Sequence, residues 1–260
     1  MKRISVDIGG TFTDCFVVWD NKYIETKALT THQNLALGFN EALEKAYQEL
    51  GLGMEELLAG VDSVRYATTL GTNALIEHNG PRIGMLVTAG YEAMVPLSRA
   101  RGYGEGLDDL GKQNLPDAQR PVPLVLPNMI EGVRERLGFE GELVMPVDED
   151  DVRQKIRTLV DKGAQAIVIC FVNSVVNPAH EKRVEEILLE EYPTHLLGSI
   201  PVILSHRVAG RKGEYVRATS AIVDGYLHST MYHAMSQLEQ NLRANSYSKP
   251  MLVIHNSGGM

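Results

Sequence analysis

Hydrophobic and polar positions alternate from the start of the chain. Ile4, Val6 and Ile8 share one side of a period-two pattern, and a second β-rich run extends over residues 12–19. Asp20-Asn21 then turns the chain into a third run at 22–27. Strict alternation marks half-buried strands, and short turns join neighbours antiparallel, so the opening predicts a three-stranded meander. The period then changes. Leu35, Phe39, Ala42, Leu43, Ala46 and Leu50 recur at helical spacing, with Gly51 as the stop signal. Residues 61–67 read as a strand, 72–78 as a helix and 82–88 as another strand. This order differs from a Rossmann unit, in which the Gly-rich turn joins a strand to a helix.

Between residues 96 and 127 the pattern lapses. Arg99, Arg101, several prolines and the run Gly102-Tyr103-Gly104-Glu105-Gly106 lie here. The glycines neither follow a strand nor open a helix, which argues against a dinucleotide fingerprint. A loop of this length is either disordered or part of a binding surface. Regular structure resumes near 129–137 and 142–146, with a turn at 138–141. The acidic residues 148–151 open a helix to Lys162, because carboxylates favour a helix N-terminus. A buried strand at 166–172 follows, then a helix from Pro178 and a short strand at 202–205. A long helical stretch runs from Glu214 to about Asn241, with a break allowed near Ser229, and 251–255 is the last strand. The division expected is one unit of residues 1–95 and 206–260, carrying an inserted α/β subdomain at 96–205.

Composition narrows the classes. With 260 residues, 44% of them hydrophobic, the chain can bury a sizeable core. Its formal net charge of −8 argues against nonspecific nucleic-acid binding, which needs Lys and Arg to neutralise phosphates. No apolar run reaches membrane-span length. The first residues enter a strand with no basic-then-apolar leader, so the expected setting is cytoplasmic. Cys15 and Cys170 sit in apolar β-like runs and read as buried free thiols.

The densest chemistry is Asp7-Ile8-Gly9-Gly10-Thr11-Phe12-Thr13-Asp14. Paired glycines between two strands fit a tight hairpin whose turn takes φ > 0. Successive N–H groups of a Gly-Gly-Thr turn make a concavity suited to phosphate. Thr11 and Thr13 add hydroxyls, while Asp7 and Asp14 can hold a hydrated Mg²⁺. An ordinary hairpin with polar turn residues is the plainer alternative. Thr68, Thr69, Thr72 and Asn73 lie between a strand and a helix, where they either cap the helix or face the hairpin. His180-Glu181 offers a ligand or a base, or else local hydrogen bonds, with no second ligand at i+4. Glu214 and Arg217 can form a helix-face ion pair or clamp a substrate. His206, Arg207, Arg211 and Lys212 form a basic cluster that faces either an anion, a subunit or solvent.

Five blocks in order give the chain a resemblance to the N-terminal part of the hydantoinase A, 5-oxoprolinase and acetone/acetophenone carboxylase family. The first is the octad at Asp7. The second is Ala67-Thr68-Thr69-Leu70-Gly71-Thr72-Asn73-Ala74-Leu75-Ile76-Glu77, followed by Gly84-Met85-Leu86-Val87-Thr88-Ala89-Gly90-Tyr91. Then come Asn173-Ser174 with Asn177-Pro178 and His180-Glu181, Glu214-Tyr215-Val216-Arg217-Ala218-Thr219, and Asn256-Ser257-Gly258-Gly259. The last differs from the usual Ser-Asn-Gly-Gly of the family.

The resemblance implies an actin-like, sugar-kinase-like ATPase half with a mixed sheet, using ATP and Mg²⁺ to activate a carbonyl oxygen by phosphoryl transfer. By position, Gly9, Gly10 and Thr11 would donate to phosphate, Thr13 would assist, and Asp7 would orient Mg²⁺ or its water. Asp14, Thr69, Thr72, Asn73, Gly258 and Gly259 complete the candidate nucleotide-binding set, and Asp7, Thr11 and Thr13 the catalytic one. Family members continue for several hundred residues with a second phosphate loop and the adenosine pocket. The expectation is therefore half of an architecture, completed by other subunits or a longer chain, in a hetero-oligomer acting on a small carbonyl substrate. Ketone carboxylation of the acetophenone type is the preferred chemistry, with cyclic-amide hydrolysis and a non-catalytic scaffold as the rivals.

Overall fold

β1 (Lys2–Ile8), β2 (Phe12–Trp19) and β3 (Lys22–Leu29) form the meander that alternation predicts. They belong to a computed structural model describing residues 1–31, 33–98, 102, 104, 106–114, 116, 118, 120, 122–194 and 200–254. Helix α1 (Leu35–Leu50) begins where the Asn34 side chain accepts from the Ala36 N–H. It ends at Gly51, whose φ of 72° is the left-handed conformation that glycine tolerates best. Leu35, Phe39, Ala42, Leu43 and Ala46 are buried against the sheet face carrying Ile4, Val6 and Ile8. Cutting Leu43 to Ala should cost about 2–5 kcal/mol, the range for emptying a packed core site.

Helix α2 (Met54–Gly60), strand β4 (Ser63–Thr68) and helix α3 (Leu70–Ile76) follow. β4 lies parallel to β1, so the chain has crossed over, and it brings Thr68 beside Ile8 at the hairpin.

β5 (Ile83–Thr88) starts a second sheet. After the short α4 (Met94–Leu97) come β6 (Ile130–Val133), the hairpin of β7 (Arg136–Leu137) and β8 (Leu143–Met145), α5 (Glu149–Asp161), β9 (Ala166–Cys170), α6 (Ala179–Glu191), β10 (Val202–Leu204) and α7 (Ser205–Val208). The order β10-β9-β5-β6 is parallel throughout. β5 and β9 are buried along their whole length, as strands covered on both faces must be. Asp148 caps α5 by accepting from the Asp151 N–H at 3.0 Å.

Helix α8 (Glu214–Ala244) is unbroken at Ser229, so the allowed break is absent. β11 (Met251–Val253) then pairs parallel with β4 and completes a mixed sheet of order β11-β4-β1-β2-β3.

Two units result, Met1–Asn79 with Thr230–Met260, and Gly80–Ser229. The sequence reading set the boundaries at 95/96 and 205/206 instead. The physical reason for the difference is pairing and packing. β5 hydrogen-bonds to β6 and β9, and a Cβ on Gly225 of α8 would lie only 3.1 Å from Val168 of β9. Cys15 is buried in the first unit and Cys170 in the second, both free. Among the described residues no helix is long and apolar enough to cross a membrane.

Candidate functional site

Gly9, Gly10 and Thr11 connect β1 to β2, and the turn is held from one side. Gly9 N–H donates to Phe12 O at 3.0 Å. Thr30, just past β3, donates its N–H to Thr11 O at 2.9 Å and its hydroxyl to Gly9 O at 2.9 Å. A hydroxyl has one proton, so in the 3.1 Å contact between Thr30 Oγ1 and Thr13 Oγ1 the donor is Thr13. Thr30 therefore binds the carbonyls on both sides of Gly10. Among the described residues no protein group pairs with the N–H of Gly10 or of Thr11, and both residues are exposed. Successive open N–H groups of this kind attract anions.

The turn differs from expectation in one respect. Neither Gly9 nor Gly10 has a positive φ. Glycine serves here for room: a Cβ on Gly9 would lie 3.2 Å from Phe12 O, and one on Gly10 3.2 Å from Asn73 Nδ2.

The hairpin borders a cleft of about 490 Å³ within the first unit. Of the sequence-predicted residues, Gly9, Gly10, Thr11, Thr68 and Asn73 come together there. Thr69 and Thr72 are exposed near the start of α3 and do not line it, although Thr69 Oγ1 is 3.5 Å from Asn73 Nδ2. Thr13 is wholly buried, so its part is to support Thr30 rather than to meet a ligand.

Asp7 and Asp14 are register partners across β1 and β2, on the face opposite Ile8, because side chains alternate along a strand. They line a separate hollow of about 200 Å³ together with Glu25 and Ala67. Asp14 is paired with Lys27 at 2.9 Å. Among the described residues no cation pairs with Asp7, which is exposed. Gly258 and Gly259, with Asn256 and Ser257, lie outside the described residues.

Sequence reasoning missed Thr30, Glu77, Asn79 and Thr230, which also line the cleft. Thr30 was within reach of it. The pairing of Phe12 with Leu29 places Thr30 across from Thr11, a register that follows from the predicted meander.

The other polar candidates lie in the second unit and are largely satisfied by one another. The Glu135 carboxylate accepts from the Thr88 hydroxyl and meets His180 Nδ1 at 2.6 Å. Glu181 accepts from Phe171 N–H at 3.0 Å, Ser205 Oγ at 2.5 Å and His206 N–H at 3.2 Å, and meets His206 Nδ1 at 2.6 Å. Burial pushes the Glu181 pKa upward, but hydrogen bonds from His206, Ser205, Phe171 and Ser174 outweigh it and hold the carboxyl below its usual range. Arg217, fully buried, donates to Ser205 Oγ at 3.0 Å and Phe171 O at 2.6 Å, with Glu214 at 3.8 Å.

These bonds tie together the carboxyl ends of β9 and β10, so His180-Glu181 and Glu214/Arg217 read as structural groups. His206 and Arg207 of the basic cluster are likewise engaged, Arg207 by two bonds to Glu185. Among the described residues no group of three His, Cys, Asp or Glu side chains is placed to hold a metal. A larger hollow of about 590 Å³, walled mainly by apolar groups such as Val95, Leu124 and Ile222, borders the irregular loop. Arg99, Arg101, Tyr103 and Glu105 of that loop lie outside the described residues.

Comparison with known proteins adds an independent line. The sequence profile described as the hydantoinase/oxoprolinase N-terminal region matches residues 3–192. The chain is similar to the acetophenone carboxylase gamma subunit of Aromatoleum aromaticum, at 42% identity over 259 residues, which is 100% of this chain and 35% of that protein. Its structure is similar to nucleotide-free acetone carboxylase, with a TM-score of 0.88, 29% identity, and coverage of 98% of this chain and 36% of that one. It is also similar to the ATP-dependent caprolactamase from Pseudomonas jessenii, with a TM-score of 0.83, 26% identity, and coverage of 97% and 35%. The chain thus spans about a third of the length of the relatives it matches.

Proposed function

Because the chain belongs to the hydantoinase/oxoprolinase family through its N-terminal region, we propose that it is the phosphate-binding part of an ATP-dependent enzyme that activates a carbonyl oxygen by phosphoryl transfer. The observation that carries this reading is the pair of open N–H groups at Gly10 and Thr11, with Thr30 holding the carbonyls on either side. Those groups fit a phosphate: they are adjacent, exposed and unpaired among the described residues. Thr11 adds a hydroxyl donor, and Gly10 leaves no side chain in the way of an approaching oxygen. Gly9 contributes by closing the turn, since its own N–H is engaged.

ATP bound here would supply the phosphoryl group that turns a carbonyl oxygen into a leaving group. The work of this chain is positioning and charge placement, which dominate phosphoryl transfer. Asp7 offers a carboxylate without a protein counter-ion among the described residues, two positions before the turn, which suits a hydrated Mg²⁺. Asp14 is less free, because Lys27 neutralises it.

The preferred chemistry is ketone carboxylation of the acetophenone type, supported by the 42% identity that extends over the whole chain. Cyclic-amide hydrolysis is the second reading, favoured by the likeness to the caprolactamase. Further subunits or further chain would complete the nucleotide site. A reducing, cytoplasmic setting suits the two free buried thiols.

The test is Asp7→Asn in the full assembly. It keeps size and hydrogen bonding while removing charge at an exposed strand position, so the fold should persist. Carbonyl-dependent ATP hydrolysis should fall by about a hundredfold or more, the usual cost of losing a key electrostatic group. An assembly that turns over normally would make the chain a scaffold and sink the enzymatic reading.

A further inference from the structure

The cleft beside the hairpin has a chemical character of its own. Besides the turn, its polar lining consists of Thr30, Thr68, Asn73, Glu77, Asn79 and Thr230. Among the described residues no Lys, Arg or His lines it, and its single charged group is the Glu77 carboxylate. A polyphosphate placed along such a wall would be repelled by Glu77 with no cation to offset it. A neutral molecule carrying a carbonyl would not be.

Two of the hydroxyls are already committed. Thr30 donates to Gly9 O, and Thr68 donates to Ile8 O at 2.9 Å while accepting from Leu70 N–H at 3.0 Å. They brace the strand ends rather than reach for a ligand. The Asn73 amide is held only loosely, by the 3.5 Å contact with Thr69, and its Nδ2 stands over Gly10. A donor is therefore presented beside the turn whose N–H groups suit the transferable phosphate. The cleft volume of about 490 Å³ is within the range of small-molecule sites.

We propose that this cleft seats the uncharged carbonyl compound, with Asn73 donating to its oxygen, while phosphate engages the hairpin tip. The assignment rests on the phosphate reading of the hairpin and extends it by separating the two ligands. The exposed Glu77 carboxylate disfavours a polyphosphate lying along the cleft. Asn73 is a binding and positioning residue whose effect falls on the carbonyl compound and not on the nucleotide.

The experiment uses the full assembly and two titrations run separately: ATP·Mg²⁺ alone, and an aryl ketone or a cyclic amide alone. Asn73→Leu should weaken binding of the carbonyl compound about tenfold, as expected for a lost hydrogen bond, and raise its KM with little change in kcat. ATP affinity should stay within about twofold, and carbonyl binding should not respond to added salt. Asn73→Ala, with less bulk, serves if the leucine variant folds poorly. Parallel loss of ATP and carbonyl binding would make the cleft part of the nucleotide site and overturn the proposal. Unchanged carbonyl binding would overturn it too. The aryl-ketone and cyclic-amide arms identify which compound class the cleft takes. Failure of the hairpin reading would show differently, as unaltered ATP binding in Gly10→Val.

Discussion

The polar groups of the first unit are arranged to be met from outside, whereas those of the second are arranged to meet each other. Around the hairpin, Thr30 binds two carbonyls and leaves two N–H groups open. At the carboxyl ends of the parallel strands, Glu181, Ser205, His206 and Arg217 are buried or nearly so and bond among themselves. Burial favours pairing, so the second arrangement is largely what folding requires, with Arg217 Nη1 the atom of this network that has no partner among the described residues. The first leaves exposed donors unmet, which folding does not require. On the proposed reading, that contrast is a better guide to function than the density of charged residues.

The contrast can be broken experimentally, and the largest effect should come from the open turn. Gly10→Val puts a branched side chain 3.2 Å or closer to the Asn73 amide and over the free N–H groups. Turnover of the assembled enzyme should be abolished while the melting temperature stays near that of the parent. Unchanged turnover in a folded variant would remove the phosphate reading.

The closed network should respond in the opposite currency. Glu181→Ala strands Ser205, His206 and the Phe171 N–H in the interior, a loss of about 3–5 kcal/mol for a broken buried ionic group. Urea unfolding would register it, with ATP affinity of the remaining folded protein unaltered. A neutral outcome would show that the network is not structural.

Thr30→Val sits between the two. It retains shape and the N–H bond to Thr11 but drops the hydroxyl bond to Gly9 O. ATP affinity should weaken about tenfold, near 1.4 kcal/mol. Thr30→Ser should restore it, and equal weakening by both variants would argue that packing, not the hydroxyl, sets the turn.

The smallest effect is on acid stability. The folded pKa of Glu181 is depressed, so its contribution is present above the ordinary value of 4.5 and is lost as pH falls through the lower folded value. The stability of Glu181→Ala should therefore decline less over that acidic window than the parent's, as followed by urea midpoints against pH. An identical decline would assign the acid sensitivity elsewhere.

Much of this was legible in the sequence because the relevant signals are local. Alternation at Ile4, Val6 and Ile8, the helical spacing from Leu35 and the stop at Gly51 translated directly into elements. The unit boundary was less legible, since Asn79-Gly80-Pro81 marks a turn without saying that a new unit starts there. It depends on β5 pairing with β6 and β9, strands far along the chain. Within the site, adjacency in sequence does not say which face a side chain takes, whereas alternation does. Asp7 and Thr13 are close to the turn, yet one points to the opposite face and the other into the core. Thr30 was passed over because its role needs register arithmetic rather than motif matching.

The two cysteines lend themselves to a different use. One lies in each unit, and burial pushes the Cys15 thiol up to about 12 and the Cys170 thiol up to about 11. At pH 8 only roughly one molecule in ten thousand would carry a Cys15 thiolate, and roughly one in a thousand a Cys170 thiolate. Folded protein should thus be nearly inert to alkylating reagents. Labelling then proceeds through transient opening of the structure around each sulfur. Label on the Cys15 peptide and on the Cys170 peptide, followed over time in one sample, becomes a separate clock for how often the structure around each sulfur opens.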